Sequence, residues 1–321
     1  MTKILIDCDP GHDDAVAILY AAKHLDLVGI TTVFGNNTVE NTTRNALAIC
    51  ALGGLDVPVA RGFAGPFLGG DPPYAVAGHG RGGLDGAELP APDRAPLDVH
   101  AVDFIIETAR HHAGELVLAI IGAHSNVAAA LRLEPRLGSW LKAITVMGGS
   151  AGPGNVTPVA CINVYSDPES AHVVFTSGVP ITWIGYETTR TVLMRAGDIE
   201  RLRAGGRVAR AIGDLAAFYR GSYTRIYGVD GAPMHDACAI IPFVRPSLIR
   251  HEPAALEVSL AAGPARGMTV VDRRGVVPGV DLPPARQPKP ANVAMAVEVD
   301  RRAVIDELVA TLLAYDRTPP A

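Results

Sequence analysis

The chain reads as an α/β protein: a single domain with a mostly parallel, doubly wound central sheet, a mainly helical segment and C-terminal strands. Three observations predict this. Short β-branched apolar runs alternate with amphipathic segments through the first half. The repeating unit has the length of a strand followed by a crossover helix, which places successive strands parallel. Polar spots such as Gly35-Asn36-Asn37, Gly122-Ala123-His124-Ser125-Asn126 and Met147-Gly148-Gly149 fall where those strands should end.

In chain order, residues 3–7 give the first strand and 14–23 the first helix, and the pair repeats at 27–34 and 39–52 before a short strand at 57–60. After a break the pattern resumes with helix 98–112, strand 116–121, helix 125–133 and strand 143–147, and residues 167–177 and 181–185 continue it. Past residue 197 the chain is expected to be mainly helical to about 243. Strands near 255–261, 268–272 and 293–299 and a closing helix from 301 to about 314 complete it. Residues 61–95, rich in Gly and Pro, break the rhythm, and a loop that long in a compact domain is usually functional or mobile. It is expected to form a flap over a site. With no linker, internal repeat or low-complexity tract, residues 1–321 are expected to form one domain.

A hydrophobic content of 48% suffices for a full core, and a net charge of −5 without any Lys/Arg run argues against a nucleic-acid or membrane surface. No signal-peptide pattern or membrane-length apolar run is present, so the protein reads as soluble and cytoplasmic. Cys8, Cys50, Cys161 and Cys238 are widely spaced with no C-x-x-C pair, which indicates neither a zinc cluster nor a disulfide framework.

The densest chemistry lies in the first strand-to-helix turn, Asp7-Cys8-Asp9-Pro10-Gly11-His12-Asp13-Asp14, with four carboxylates in eight residues. Like charges this close raise one another's pKa, so a buried cluster calls for a cation, and a hard divalent metal is the simplest. Pro10 and Gly11 permit the sharp turn, and acids at a helix start also favour the positive helix end. Helix capping alone would account for one or two of the four. Asp9, Asp13 and Asp14 are expected to converge at the carboxyl end of a strand, where open α/β sheets build their sites. Pro233-Met234-His235-Asp236-Ala237 opens a further apolar helical stretch. A His-Asp pair there is ordinarily a cap, but not beside an acid cluster at the same end of a sheet.

These residues resemble the inosine-uridine-preferring nucleoside hydrolase family. The opening Asp7-Cys8-Asp9-Pro10-Gly11-His12-Asp13-Asp14-Ala15 matches its signature. Thr31-Thr32-Val33-Phe34-Gly35-Asn36, His79-Gly80-Arg81-Gly82-Gly83-Leu84, Val146-Met147-Gly148-Gly149 and Gly154-Asn155 follow in order. So do Asn163-Val164-Tyr165-Ser166-Asp167-Pro168-Glu169, with Ala171, then His235-Asp236 and Gly267-Met268-Thr269-Val270-Val271-Asp272. The resemblance covers nearly the whole chain. It implies Ca²⁺-dependent hydrolysis of the N-glycosidic bond of a ribonucleoside, in a homo-oligomer of two or four copies. It also implies that Asp9, Asp14 and Asp236 supply carboxylate ligands, Ile121 a backbone carbonyl, and Asp9 the general base. Asp13, Asn36 and Asn163 would hold ribose hydroxyls, Asn155 would sit near the 5′ end, and Met147 near the ring. His235 would protonate the leaving base, with His79 in the flap a second donor, particularly for pyrimidines. Tyr223 and Tyr227, at i and i+4, would stack on the base, unless they form a plain core stripe.

One departure stands out. Where most relatives carry Glu two residues before the ribose-binding Asn, this chain has Cys161 before Asn163. A hydrogen bond to a charged group is worth roughly 1.5–3 kcal/mol, so ordinary nucleosides should bind about ten- to a hundredfold more weakly. A 5′-modified or 5′-deoxy nucleoside would suit the smaller, less polar wall, unless a neighbouring side chain replaces the Glu. Two other readings remain: a non-catalytic calcium- and ribose-binding homologue, and a haloacid-dehalogenase-like phosphatase suggested by Asp7-x-Asp9, which leaves the GHDD continuation without a role. Gly78-x-Gly80-x-x-Gly83 lacks the helix start that a dinucleotide site requires.

Overall fold

The apolar runs become strands buried on both faces. A computed structural model describes residues 1–274 and 281–316; the parts of the expected domain at 275–280 and 317–321 lie outside the described residues. β1 (Lys3–Cys8) carries the unbroken apolar run Ile4-Leu5-Ile6 because helices cover the sheet on both sides, the usual environment of a parallel strand. It leads to α1 (His12–His24), β2 (Asp26–Thr32), α2 (Val39–Gly53), β3 (Val59–Arg61) and the short α3 (Val76–His79). The chain then crosses to the other half through α4 (Ala101–His111), β4 (Leu116–Ile120), α5 (Ser125–Leu133), α6 (Leu137–Trp140) and β5 (Leu141–Met147). It continues through α7 (Ile162–Tyr165), α8 (Pro168–Phe175), β6 (Ile181–Ile184), α9 (Tyr186–Thr189), β7 (Leu193–Met194) and α10 (Ala196–Arg203). The long α11 (Arg207–Tyr227), β8 (Ala232–Pro233), α12 (Ala237–Ile240), β9 (Ile249–Ala254) and β10 (Leu256–Val258) follow, then β11 (Thr269–Val271), β12 (Val293–Val299) and α13 (Arg301–Leu313).

The main sheet has eight strands in the order β3-β2-β1-β4-β5-β6-β12-β9, every pairing parallel except β12 with β9. The chain winds outward from β1 to β3, then returns to start the other half at β4. The strand order therefore reverses between β1 and β4, and the crevice at their carboxyl ends is the place where such sheets bind ligands. The register aligns Asp7 with Thr31 on one side and Ile120 on the other, so the loops after β1, β2, β4 and β5 rise at one end.

The expected helices and strands lie within a few residues of their places. The clear difference is β9. Its sequence Ile-Arg-His-Glu-Pro-Ala is polar and carries a proline, which suits an antiparallel sheet edge and hides the strand from apolar periodicity. The run expected at 255–261 is only β10, which leaves the main sheet to pair with β11.

The segment expected as a flap is irregular apart from α3, and buried polar groups fasten its two ends. Phe63 N donates to Asn126 Oδ1 at 3.0 Å and Phe67 N to Asp167 Oδ2 at 3.0 Å. Farther on, Asn45 Nδ2 donates to Gly82 O and Asn37 Nδ2 to Arg81 O, each at 3.0 Å. Between these anchors Pro73, Tyr74 and Ala75 pass over the crevice.

Leu118 sits wholly buried in β4, between β1 and β5. Leu118→Ala is expected to lower unfolding free energy by about 2–5 kcal/mol, read from denaturant midpoints at unchanged slope.

Candidate active site

At the reversal point the acid-rich turn is buried: Asp7, Asp9, Asp13 and Asp14 are each 0–3% exposed. Asp7 turns away from the others, its Oδ1 accepting from Thr31 Oγ1 at 2.6 Å and Asn126 Nδ2 at 2.8 Å. It ties β1 to β2 and to the loop after β4, and burial raises its pKa to about 7. Asp9, Asp13 and Asp14 do converge, joined by Asp236 from the start of α12. Carboxylate oxygens of Asp13, Asp14 and Asp236 lie within 4.8 Å of one another. Asp9 stands just outside that triplet, with Asn36 N donating to its Oδ2 at 2.6 Å. Gly35 has to be glycine here, since a Cβ would sit 2.0 Å from Asp9 Oδ2.

Capping explains little of the cluster. Asp14 Oδ2 accepts from Gly11 N at 2.9 Å as a helix cap, and from Asn36 Nδ2 at 3.2 Å. Asp236 makes no cap hydrogen bond. Asp9 Oδ1 and Asp14 Oδ1 are buried with no protein partner. Burial, reinforced by the Asp14 charge, pushes Asp9 well above the usual carboxylate range and Asp13 to about 8. Burial lifts Asp14 to about 6, and burial with the Asp13 and Asp14 charges lifts Asp236 strongly. An all-oxygen set with orphaned buried atoms fits a hard divalent cation.

Above the acids opens a cavity of about 220 Å³, lined by Asp13, Asn36, His79, Ile121, Met147, Asn155, Cys161, Asn163, Tyr223, Tyr227, His235 and Asp236. Of the residues singled out from sequence, only Asp9 and Asp14 do not line it; they sit beneath. Asn163 Nδ2 donates to Ile121 O at 2.7 Å and Met147 O at 3.1 Å, stitching the segment after β5 to the ends of β4 and β5. Asn155 Oδ1 accepts from Ile162 N at 2.9 Å.

One wall is aromatic. Tyr219, Tyr223 and Tyr227 follow one another along α11 with ring centroids 5.0 and 4.9 Å apart, Tyr223 buried and Tyr227 half exposed. Tyr219 and Tyr74 line the cavity but were not singled out from sequence. Tyr219 had a signal, lying one more i, i+4 step before Tyr223. His235 Nε2 meets Tyr223 Oη at 2.8 Å and its Nδ1 meets Thr189 Oγ1 at 2.8 Å, while burial lowers its pKa to about 3. His79 lies near the turn, its Nδ1 3.0 Å from His12 Nδ1. Burial and the neighbouring His12 keep it well below the usual imidazole value. A Cβ on Gly11 would come within 2.5 Å of that His79 nitrogen.

Cys161 is 1% exposed and lines the cavity, and burial pushes its thiol up to about 11, so it presents a neutral surface. Among the described residues the acids lining the cavity are Asp13 and Asp236. Glu187 Oε2 accepts from Ser150 Oγ and Ala151 N, each at 3.0 Å, while its Oε1 is buried with no protein partner.

The family model described as inosine-uridine preferring nucleoside hydrolase matches residues 4–306. The chain is similar to the pyrimidine-specific ribonucleoside hydrolase RihB of Escherichia coli O1:K1 / APEC, 39% identical over 303 residues and 93% of each chain. Among solved structures it is similar to the plant nucleoside hydrolase PpNRh1, with a TM-score of 0.89, 32% identity and coverage of 98% of this chain and 99% of that one. The purine-preferring ribonucleoside hydrolase from Gardnerella vaginalis matches with a TM-score of 0.88, 30% identity and coverage of 98% of both chains.

The raised carboxylates carry a signed pH dependence. Between the ordinary Asp value of 3.8 and the folded value of about 8 for Asp13, the folded state holds protons that the unfolded chain has released. Stability of the cation-free protein is therefore expected to fall as pH rises through that window. Melting temperatures with chelator should decline from pH 5 to pH 8, and added Ca²⁺ should raise them more at pH 8 than at pH 5. A flat profile with chelator would contradict the assignment.

Proposed function

The chain belongs to the inosine-uridine preferring nucleoside hydrolase family and is a ribonucleoside hydrolase, and from that premise we propose a calcium-dependent enzyme with altered specificity at the ribose 5′ end. The observation that carries the reading is the meeting of four buried acids, two with orphaned oxygens, on the floor of an aromatic-walled cavity.

Asp9, Asp14 and Asp236, with the Ile121 carbonyl, would hold the ion, and Asp13 stands close enough to share it. Calcium suits six to eight oxygens in irregular geometry, and when bound it supplies counter-charge and a polarised water. Asp9 takes a proton from the attacking water, whose oxygen bonds to the anomeric carbon as the C–N bond breaks and its electron pair leaves with the base. Asp13, Asn36 and Asn163 hold the ribose hydroxyls, Met147 packs by the ring, and Tyr223 and Tyr227 stack on the base. His235, with Nδ1 on Thr189 and Nε2 on the Tyr223 hydroxyl, offers the leaving base a proton or hydrogen bond through that hydroxyl, with His79 beside the same aromatic wall. The expected homo-oligomeric form is carried by the family resemblance, and light scattering reads the assembly.

Cys161 supports the 5′ reading. It replaces a charged partner by a buried neutral thiol, and Glu187 Oε2 accepts from the Ser150 hydroxyl and the Ala151 N–H instead.

Base release should be measured on pyrimidine, purine and 5′-substituted nucleosides, with and without chelator. Release should depend on Ca²⁺, and Asp9→Ala should slow it by roughly 10²- to 10⁴-fold. Calcium and ribose binding without release would instead indicate a non-catalytic homologue. Cys161→Glu is expected to shift preference toward ordinary nucleosides by about ten- to a hundredfold, and an unchanged preference would refute the 5′ assignment.

A further inference from the structure

We propose that Thr189 is a positioning residue for the leaving-group donor: its hydroxyl holds His235 Nδ1 so that Nε2 stays on the Tyr223 hydroxyl at the cavity. The inference rests on His235 serving the leaving base, as read above.

Thr189 is fully buried at the end of α9, and its Oγ1 lies 2.8 Å from His235 Nδ1, while His235 Nε2 lies 2.8 Å from Tyr223 Oη. His235 and Tyr223 line the cavity and Thr189 does not, so it acts through the imidazole. The two residues are 46 apart in sequence, and a small antiparallel ribbon brings them together. β7 pairs with β8, and Met234 N donates to Val192 O at 2.9 Å, so the segment leaving α9 is clamped to the segment carrying His235. Tyr186 N donates to Gly149 O at 2.8 Å, which fixes the other end of α9 to the loop after β5. The Tyr186 ring, 5.4 Å from the imidazole, closes the remaining side.

A hydroxyl suits this place because it can either donate or accept. It partners Nδ1 whether or not that nitrogen carries hydrogen, so the ring keeps one orientation in each tautomer. Valine has nearly the same shape but no such partner, and the ring would be free to turn Nε2 from Tyr223.

The test compares a nucleoside that the wild type turns over, uridine or inosine, with 4-nitrophenyl β-D-ribofuranoside, whose leaving group departs as a stabilised anion and needs no proton. For Thr189→Val the expected loss is about ten- to a hundredfold in kcat on the nucleoside, part of the roughly 10²–10⁴ a positioned acid provides. KM and turnover of the nitrophenyl riboside should stay near wild type, and Thr189→Ser should restore nucleoside kcat. If Thr189→Val fails to fold, Thr189→Ala reads the same split. Equal losses on both substrates, or none, would overturn the proposal. His235→Ala separates the two levels. If it shows the split and Thr189→Val does not, the Thr189 role alone fails; if it shows none, the donor reading fails and this proposal with it.

Discussion

Everything around the crevice is arranged to bury Asp9, Asp13, Asp14 and Asp236 within reach of one another. Removing a carboxylate from water costs several kcal/mol even after relaxation, and like charges at this separation add to it. Inside the protein the charge is met by few donors: the backbone N–H groups of Gly11 and Asn36 and the Asn36 amide. Two carboxylate oxygens have none. A site so short of hydrogen bonds fits a bound cation, and the raised acid pKa values are the same deficit expressed in protons.

That requirement explains a second tier of buried polar residues. Asp7, Thr31 and Asn126 bind β1, β2 and the loop after β4 to one another, and Asn126 also takes Phe63 N at the root of the loop crossing the crevice. Asp167 does the corresponding work for the same loop, accepting from Phe67 N, Ser125 Oγ and Ser170 Oγ. Asp7 Oδ1 and Asp167 Oδ2 each accept from side-chain donors, although Asp7 Oδ2 is buried without a partner, and neither acid belongs to the Asp13, Asp14 and Asp236 cluster. The sheet contributes rigidity: the strands ending under the site are buried parallel strands hydrogen-bonded on both sides.

The cavity is chemically divided. Oxygen donors crowd the floor, tyrosines form one wall, and Cys161 gives the remaining polar position of the family pattern an uncharged surface. A single exchange of Glu for Cys leaves the floor untouched, because Cys161 hydrogen-bonds none of the four acids.

Much of this was legible in residue order. Parallel strands buried on both faces are written as apolar runs, and the Asp-x-Asp-Pro-Gly-His-Asp-Asp turn must cluster its acids because the strand end and helix start leave them nowhere else to go. The i, i+4 spacing on α11 marks Tyr223 and Tyr227, and the same spacing extends to Tyr219. Strand β9 escaped because an edge strand need not be apolar. What the sequence by itself determined was the fold class, the acid cluster and, with the family resemblance, part of the cavity lining; Pro73, Tyr74, Ala75, Val156, Tyr219 and Ile226 were added by the fold. Only the tertiary structure decided which acids are structural and which face one another, that Asp13 joins Asp14 and Asp236, and that Thr189 stands behind His235. It likewise decided that Asn126 and Asp167 anchor the crossing loop, through contacts spanning 63 and 100 residues. Such pairings depend on how strands and loops assemble in space, and no local propensity or periodicity encodes a hydrogen bond between residues so far apart.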